Sequence, residues 1–275
     1  MKKIKELLSN KSNLESEILL AHAISKDKVF ILTHPEYELK IKEYCRFIYF
    51  RYLFNHGYSI AAITNHKEFF GLEFFVNKNV LIPRPETELI VEEVLNEISA
   101  INNNTLLIDV GTGSACIPIS ILKNTSNIHQ AIALDISNKA LKVARKNIAK
   151  FNVNIELLKS NLLSTIIKRD YSFYEKIIIT ANLPYLTTDQ VKQEPSIQKE
   201  PTIALIAKEN GLTLYHQLLG QIVKIFSGKK LLILFEIDPS QTRQITSLAK
   251  NYLPQCKFEI KKDLAGLDRI LKIST

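Results

Sequence analysis

The stretch Leu107-Ile108-Asp109-Val110-Gly111-Thr112-Gly113-Ser114-Ala115 decides the fold. A β-branched, apolar run leads into a pair of glycines one residue apart, and the next residues, Cys116 to Lys123, read as a helix. The chain holds only 8 glycines, and two of them stand in this turn. Glycine lets the backbone take φ > 0 and lets a ligand approach the main chain. A strand, a glycine turn and a helix in that order open a parallel α/β sheet, whose ligand crevice lies outside the carboxyl ends of the strands. The plain structural reading of the same residues is a tight βα turn with a capping Asp.

Moving outward, strand and helix alternate. Strands are expected at 105–110, 130–135, 155–159, 176–181 and 230–236, with helices near 115–123, 138–150, 210–226 and 240–252. Two more strands at 257–262 and 269–274, joined by 263–268, close the region as an antiparallel hairpin. Upstream, residues 1–65 read as helical, with Asn13 as a cap for the helix through Glu17 and Leu20, and a second helix over 41–55 carrying a broad apolar stripe. Between the two blocks, Glu68 to Asn77 and Val80-Leu81-Ile82 read as short strands turning at Gly71 and at 77–79. The expected division is a helical substrate-recognition domain over 1–67, a β-hairpin linker over 68–84 and an α/β domain over 85–275.

Composition narrows the class. Of 275 residues, 46% are hydrophobic and 23% charged, the profile of a soluble globular chain. No apolar run is long enough to span a bilayer and no signal-peptide core is present. The three cysteines are too far apart for a metal-ligand motif, and the six histidines form no HxxxH or HxH pair, so no metal is expected and a reducing, cytoplasmic setting is. A net charge of +8 permits nucleic-acid binding, but the lysines are scattered, and a solvated basic surface accounts for them.

Two cofactor types suit the glycine turn. A dinucleotide site wants G-x-G-x-x-G, but Cys116 occupies the third glycine position. S-adenosylmethionine, which carries no phosphate, needs a close turn and an acidic residue such as Asp109 near its charged end. Asp135, closing the next strand, stands where a carboxylate accepts ribose hydroxyls from either cofactor. The second informative stretch, Asn182-Leu183-Pro184-Tyr185, leaves the apolar strand 176–181. An Asn amide, a Pro-fixed turn and a Tyr face suit the holding of a planar nitrogen group by its N–H hydrogens. Pro83-Arg84-Pro85-Glu86-Thr87-Glu88 is rigid and charged, and Arg84 and Glu86 suit a site wall.

Together these stretches resemble the HemK/PrmC family, the release factor glutamine N5-methyltransferases. The likeness runs through 81–88, 109–114, 133–137 and 182–185, through Glu200-Pro201 with Ala204-Leu205 and Gly211-Leu212, and through 263–266 with Asp268-Arg269. It extends to Glu17–Leu20 and Glu68–Leu72, nearly the whole chain, with PRPETE its most specific part. The resemblance implies a class I (Rossmann-like) methyltransferase domain with a seven-stranded, mostly parallel sheet. It implies S-adenosylmethionine held by Asp109, Gly111, Thr112, Gly113, Ser114, Ala115, Asp135, Asn161, Leu162 and Asn182. Asn182, Pro184 and Tyr185 would be catalytic, and Leu183, Arg84 and Glu86 would join them in binding substrate. The implied substrate is the glutamine of a Gly-Gly-Gln loop in a peptide chain release factor, methylated by a monomeric cytoplasmic enzyme with no membrane or obligatory nucleic-acid partner.

Three departures stand out: Leu183 where the family usually has Pro, Ala115 for a common Gly, and Asn161-Leu162 where Asp and Trp are common beside the adenine. N-L-P-Y is also close to the rRNA adenine dimethyltransferase version of the motif, so a nucleic-acid amino-methyltransferase is the alternative. A flipped base would offer the same amine to the same Asn.

Overall fold

The computed structural model describes residues 2–8, 14–98, 104–194, 197–207 and 211–275. The chain divides into two compact units, Met1–His66 with Glu194–Lys199, and Lys67–Gln193 with Glu200–Thr275.

The first unit is helical: α1 (Ile4–Leu8), α2 (Leu14–Ile24), α3 (Lys28–Thr33), α4 (Ile41–Asn55) and α5 (Ile60–Thr64). Leu19, Leu20, Ala23 and Ile24 line one side of α2 and pack with Ile4, Ile31, Leu39, Phe47 and Ile63 in a common core. Local chemistry sets the helix starts. The Asp27 carboxylate accepts the Phe30 N–H at 2.8 Å, and the Ser59 hydroxyl accepts the Ala62 N–H at 3.2 Å. Asn13, the expected cap of α2, lies outside the described residues. The apolar stripe of α4 is only partly used by the core, because Ile41, Ile48, Tyr49 and Tyr52 are exposed while Phe47 is buried.

A hairpin, β1 (His66–Phe69) and β2 (Leu72–Phe75), begins on the last residue of the first stretch of the first unit, and the second unit continues with a 3₁₀ turn at Pro85–Thr87 and α6 (Glu88–Glu97). Val80-Leu81-Ile82, expected as a strand, is not one. The Ile82 N–H donates to the Glu200 carboxylate at 3.0 Å instead of to a neighbouring strand, and the stretch is irregular backbone tied by a side chain.

The α/β core follows as β3 (Thr105–Val110), α7 (Cys116–Asn124), β4 (Gln130–Asp135), α8 (Asn138–Phe151), β5 (Glu156–Lys159), β6 (Lys176–Ala181), α9 (Thr188–Gln193), α10 (Thr202–Leu205), α11 (Thr213–Ile225), β7 (Lys230–Glu236), α12 (Thr242–Tyr252), β8 (Lys257–Lys262) and β9 (Asp268–Ser274). The seven-stranded sheet has the order β5-β4-β3-β6-β7-β9-β8. The pairs from β5 to β7 are parallel, and β9 runs antiparallel to both β7 and β8. All six residues of β3 are buried, which explains why Leu106, Leu107, Ile108 and Val110 do not alternate with solvent-facing polar residues. The chain winds from β3 to β4 on one side and later returns to β6 on the other. This switch point places the ends of β3, β4 and β6 around one crevice.

Candidate active site

One cavity in the second unit collects residues from three neighbouring strand ends. Its lining includes Gly111, Thr112, Gly113 and Ser114 after β3, Asp135 at the end of β4, and Asn182, Leu183 and Pro184 after β6. Asn161 and Leu162 also line it, as do Leu81, Pro83 and Thr87.

The glycine turn is held by its own main chain. Gly111 and Thr112 both donate their N–H to the Leu134 carbonyl, at 2.8 and 2.9 Å, and Gly113 donates to Asp135 Oδ2 at 2.9 Å. Gly111, Gly113 and Ala115 all take positive φ, 75°, 55° and 63°. Glycine suits Gly111 chiefly through its φ of 75°, and a Cβ there would also stand 2.9 Å from Leu183 Cδ2 and make that side chain shift. Ala115 adopts a left-handed conformation at the start of α7 that glycine would take without the Cβ penalty, which gives the departure at this position a physical cost. Behind the turn, the buried Asn147 amide donates to the carbonyls of Ser114 and Phe75, both at 2.9 Å, and accepts the Phe75 N–H at 2.8 Å.

Asp109 does not reach the cavity lining. It is buried behind the turn, where Oδ1 accepts the Thr180 hydroxyl at 2.6 Å. Oδ2 and the buried Thr112 hydroxyl have no hydrogen-bond partner among the described residues. Burial raises the Asp109 pKa to about 6, against the pull of the Thr180 hydroxyl, with Asp135 adding to the rise. An incompletely satisfied carboxylate beside a glycine turn fits a ligand whose polar end carries positive charge. Asp135 is also raised by burial, offset by the N–H groups of Ser137, Gly113 and Ile136.

The loop after β6 is held by side chains from afar. The Asn182 side-chain nitrogen donates to Thr87 Oγ1 at 3.2 Å, and the Thr87 hydroxyl donates to Glu236 Oε2 at 2.7 Å. Glu236 Oε1 accepts the Tyr185 hydroxyl at 3.0 Å. The Leu183 N–H donates to the Tyr215 hydroxyl at 3.2 Å, and that hydroxyl donates to the Glu236 carbonyl. Gln241 donates to the Tyr185 carbonyl at 3.0 Å. Leu183 thus uses an N–H that proline would lack to anchor the loop. Glu236, fully buried, is pushed up by burial and by Glu86, while Thr87, Tyr185 and Arg269 pull it down.

Tyr185, Arg84, Glu86 and Ala115 stand outside the lining. The Tyr185 hydroxyl is turned to Glu236, and Arg84 pairs with the Glu200 carboxylate that also receives the Ile82 N–H. From PRPETE, the groups that do face the cavity are Pro83 and Thr87. Tyr215, Gln241 and Asn147 carry no signal of a site in the sequence, and Thr87 reads there only as a residue of the 83–88 stretch that opens a helix. The available signal was Glu236, an acidic residue closing an apolar strand as Asp109 and Asp135 nearly do. No cluster of three or more His, Cys, Asp or Glu able to hold a metal ion occurs among the described residues.

Residues 91–210 match the family model described as a methyltransferase domain. The chain is 39% identical over 249 residues to the release factor glutamine methyltransferase of Mycoplasma mycoides, covering 89% of this chain and 86% of that one. It is 33% identical over 264 residues to the protein of the same name from Clostridium acetobutylicum, covering 94% and 89%. Among solved structures, the hMettl16 catalytic domain in complex with a MAT2A 3'UTR hairpin superposes with a TM-score of 0.58 at 17% identity, covering 78% of this chain and 80% of that one. A methyltransferase from Pyrococcus furiosus gives 0.50 at 18% identity, covering 82% and 95%. The sheet order, the antiparallel β9 and the cavity at the ends of β3, β4 and β6 define a class I methyltransferase. Within that class, the chain belongs to the release factor glutamine methyltransferase family.

Proposed function

We propose that this protein transfers a methyl group from S-adenosylmethionine to the side-chain amide nitrogen of the glutamine in the Gly-Gly-Gln loop of a peptide chain release factor. The observation that carries this reading is the presence of Asn182 and Leu183 in the lining of the cavity that also contains the glycine turn and Asp135. S-adenosylmethionine, when bound, supplies an electrophilic methyl group on a positively charged sulfur. Gly111 to Ser114 would bind it through the main chain, Asp135 would accept its ribose hydroxyls, and Asn161 and Leu162 would border the adenine. Asp109 would favour its positive end from behind the turn.

An amide nitrogen is a weak nucleophile because its lone pair is shared with the carbonyl. The Asn182 side-chain oxygen and the Leu183 carbonyl would accept the two N–H hydrogens of the glutamine and aim its nitrogen. Pro184 would keep the loop's path, and Tyr185 would brace it through Glu236. These groups are acceptors and supports, so their contribution is orientation and preorganised dipoles. No side-chain base is needed before transfer, since the nitrogen can lose its proton once the methyl has arrived. Arg84 and Glu86 would act on the substrate protein's approach to the 81–87 wall.

The helical residues 1–67 would serve as the recognition domain, with 68–84 linking it to the methyltransferase domain. The exposed apolar face of α4, with Ile41, Tyr49 and Tyr52 at 76%, 57% and 55% exposure, supports that role. No described helix is long and apolar enough to cross a membrane. The free thiols Cys45, Cys116 and Cys256 support a reducing compartment, and a monomeric cytoplasmic enzyme is the proposed form.

The test offers labelled S-adenosylmethionine with a release factor and, separately, with total rRNA. The expected product is one added methyl on the Gly-Gly-Gln glutamine, located by mass spectrometry. Label in RNA and none in protein would transfer the assignment to a nucleic-acid amino-methyltransferase.

A further inference from the structure

We propose that Thr87 and Glu236 are positioning residues whose hydrogen-bond relay sets the polarity of the Asn182 amide. The inference rests on the reading of Asn182 as the acceptor of the substrate amide. An Asn side chain has two ends of nearly equal shape, one accepting and one donating. Only the accepting end can receive a glutamine N–H, so a flipped Asn182 would present donors to a donor.

The relay has one direction. Thr87 Oγ1 lies 2.7 Å from Glu236 Oε2 and 3.2 Å from Asn182 Nδ2. A hydroxyl carries one proton, and both Glu236 carboxyl oxygens accept, Oε1 from the Tyr185 hydroxyl at 3.0 Å and Oε2 from Thr87, so that proton points to Glu236. Thr87 then has only lone pairs to offer Asn182. The amide must turn its nitrogen to Thr87, and among the described residues no donor meets its oxygen, which is left for the cavity. A flipped amide would set its carbonyl oxygen against the Thr87 lone pairs. The same residue of β7 orients the neighbouring acceptor, because the Glu236 carbonyl receives the Tyr215 hydroxyl that in turn receives the Leu183 N–H. One residue therefore aims a side-chain amide through its carboxylate and a main-chain loop through its carbonyl.

The experiment compares Thr87→Val, Thr87→Ser and Glu236→Gln with the wild-type enzyme by two readouts. The first is exchange of the ¹⁵N-labelled Asn182 side-chain amide protons in the free enzyme. The second is kcat and KM for methyl transfer to a release factor. Valine keeps the shape of threonine but removes the relay, so amide exchange should speed up at least about tenfold and kcat fall about 10- to 100-fold, less than loss of a direct transition-state contact. Thr87→Ser should recover both. The methyl-donor KM should stay within about threefold, separating orientation from binding. If Thr87→Val fails to fold, Glu236→Gln serves in its place, since its amide can donate as well as accept and no longer dictates the direction. Wild-type exchange and kcat in Thr87→Val, or in a folded Glu236→Gln, would overturn the relay. Absence of release-factor methylation by the wild type, with exchange still following the Thr87 substitutions, would sink the functional reading and support the relay.

Discussion

The glycine turn at 111–114 and the loop at 182–185 face one cavity, yet they are held in opposite ways. The turn is fixed by main-chain N–H groups reaching the adjacent strand β4, at Leu134 and Asp135. The loop is fixed by side chains of Thr87, Tyr215, Glu236 and Gln241, between 32 and 95 residues away along the chain from the groups they bind. The turn therefore depends on the conformations its own residues can adopt. The loop depends on the identities of residues elsewhere, and its own sequence has more freedom. Leu183 illustrates this: its N–H is held by Tyr215, which lies 32 residues further along the chain.

The sharpest way to separate the two halves is Asn182→Ala. Turnover should fall by at least about 10²–10³-fold, the range seen when a preorganised dipole is removed from an active site. Methyl-donor affinity, measured by calorimetry, should survive because the turn is held independently. Comparable losses in both measurements would mean that the halves are not separable.

Gly211→Ala tests the long-range support of the loop. A Cβ there would lie 2.2 Å from Gln241 Nε2 and 2.3 Å from the Tyr185 carbonyl oxygen, at φ +85°. Clash and left-handed strain together should cost about 3–4 kcal/mol, read as a lowered denaturation midpoint. A wild-type midpoint would show that the loop accommodates what the turn could not.

The smallest effect belongs to the turn and appears as pH dependence. Asp109 is raised to about 6 from an ordinary value of 3.8, so the free folded enzyme holds this proton to higher pH than the unfolded chain. The resulting stabilisation is complete below about pH 4 and is lost as pH rises through about 6, on the order of 2–3 kcal/mol. Asp109→Asn cannot titrate. The stability of the wild type relative to this variant should decline between pH 4 and 6.5 in chemical denaturation. A flat difference would mean that the buried carboxylate carries no such penalty.

Much of this arrangement is legible in the sequence. The largely apolar runs 105–110, 176–181 and 230–236 read as buried parallel strands because nearly all of their residues, on both faces, are covered. The glycines and the strand-ending Asp135 locate one side of the cavity, since their constraint lies in consecutive residues. Thr87 and Glu236 were harder to see because 149 positions separate them, and a hydrogen bond across that distance leaves no periodicity. The stretch 80–82 misleads for a related reason. Its apolar residues suggest a strand, but Ile82 is tied to Glu200, 118 positions on. Arg84 likewise has the charge expected of a site wall and uses it on Glu200.

Ala181 pairs with Phe235 across β6 and β7, so Asn182 follows just past the end of β6 while Glu236, the next residue of β7, is still paired to Ile270 of β9. The backbone spacing between these two residues is thereby set by the ladder of a parallel sheet, and Thr87 bridges their side chains. This gives the site a ruler that loop sequence cannot readily stretch. The side chain at 183 can change while that backbone spacing stays constant. A shift of either strand by one residue would move the acceptor off its support in a single step. A change of side chain at 183 is therefore a smaller disturbance to this site than a change of strand register.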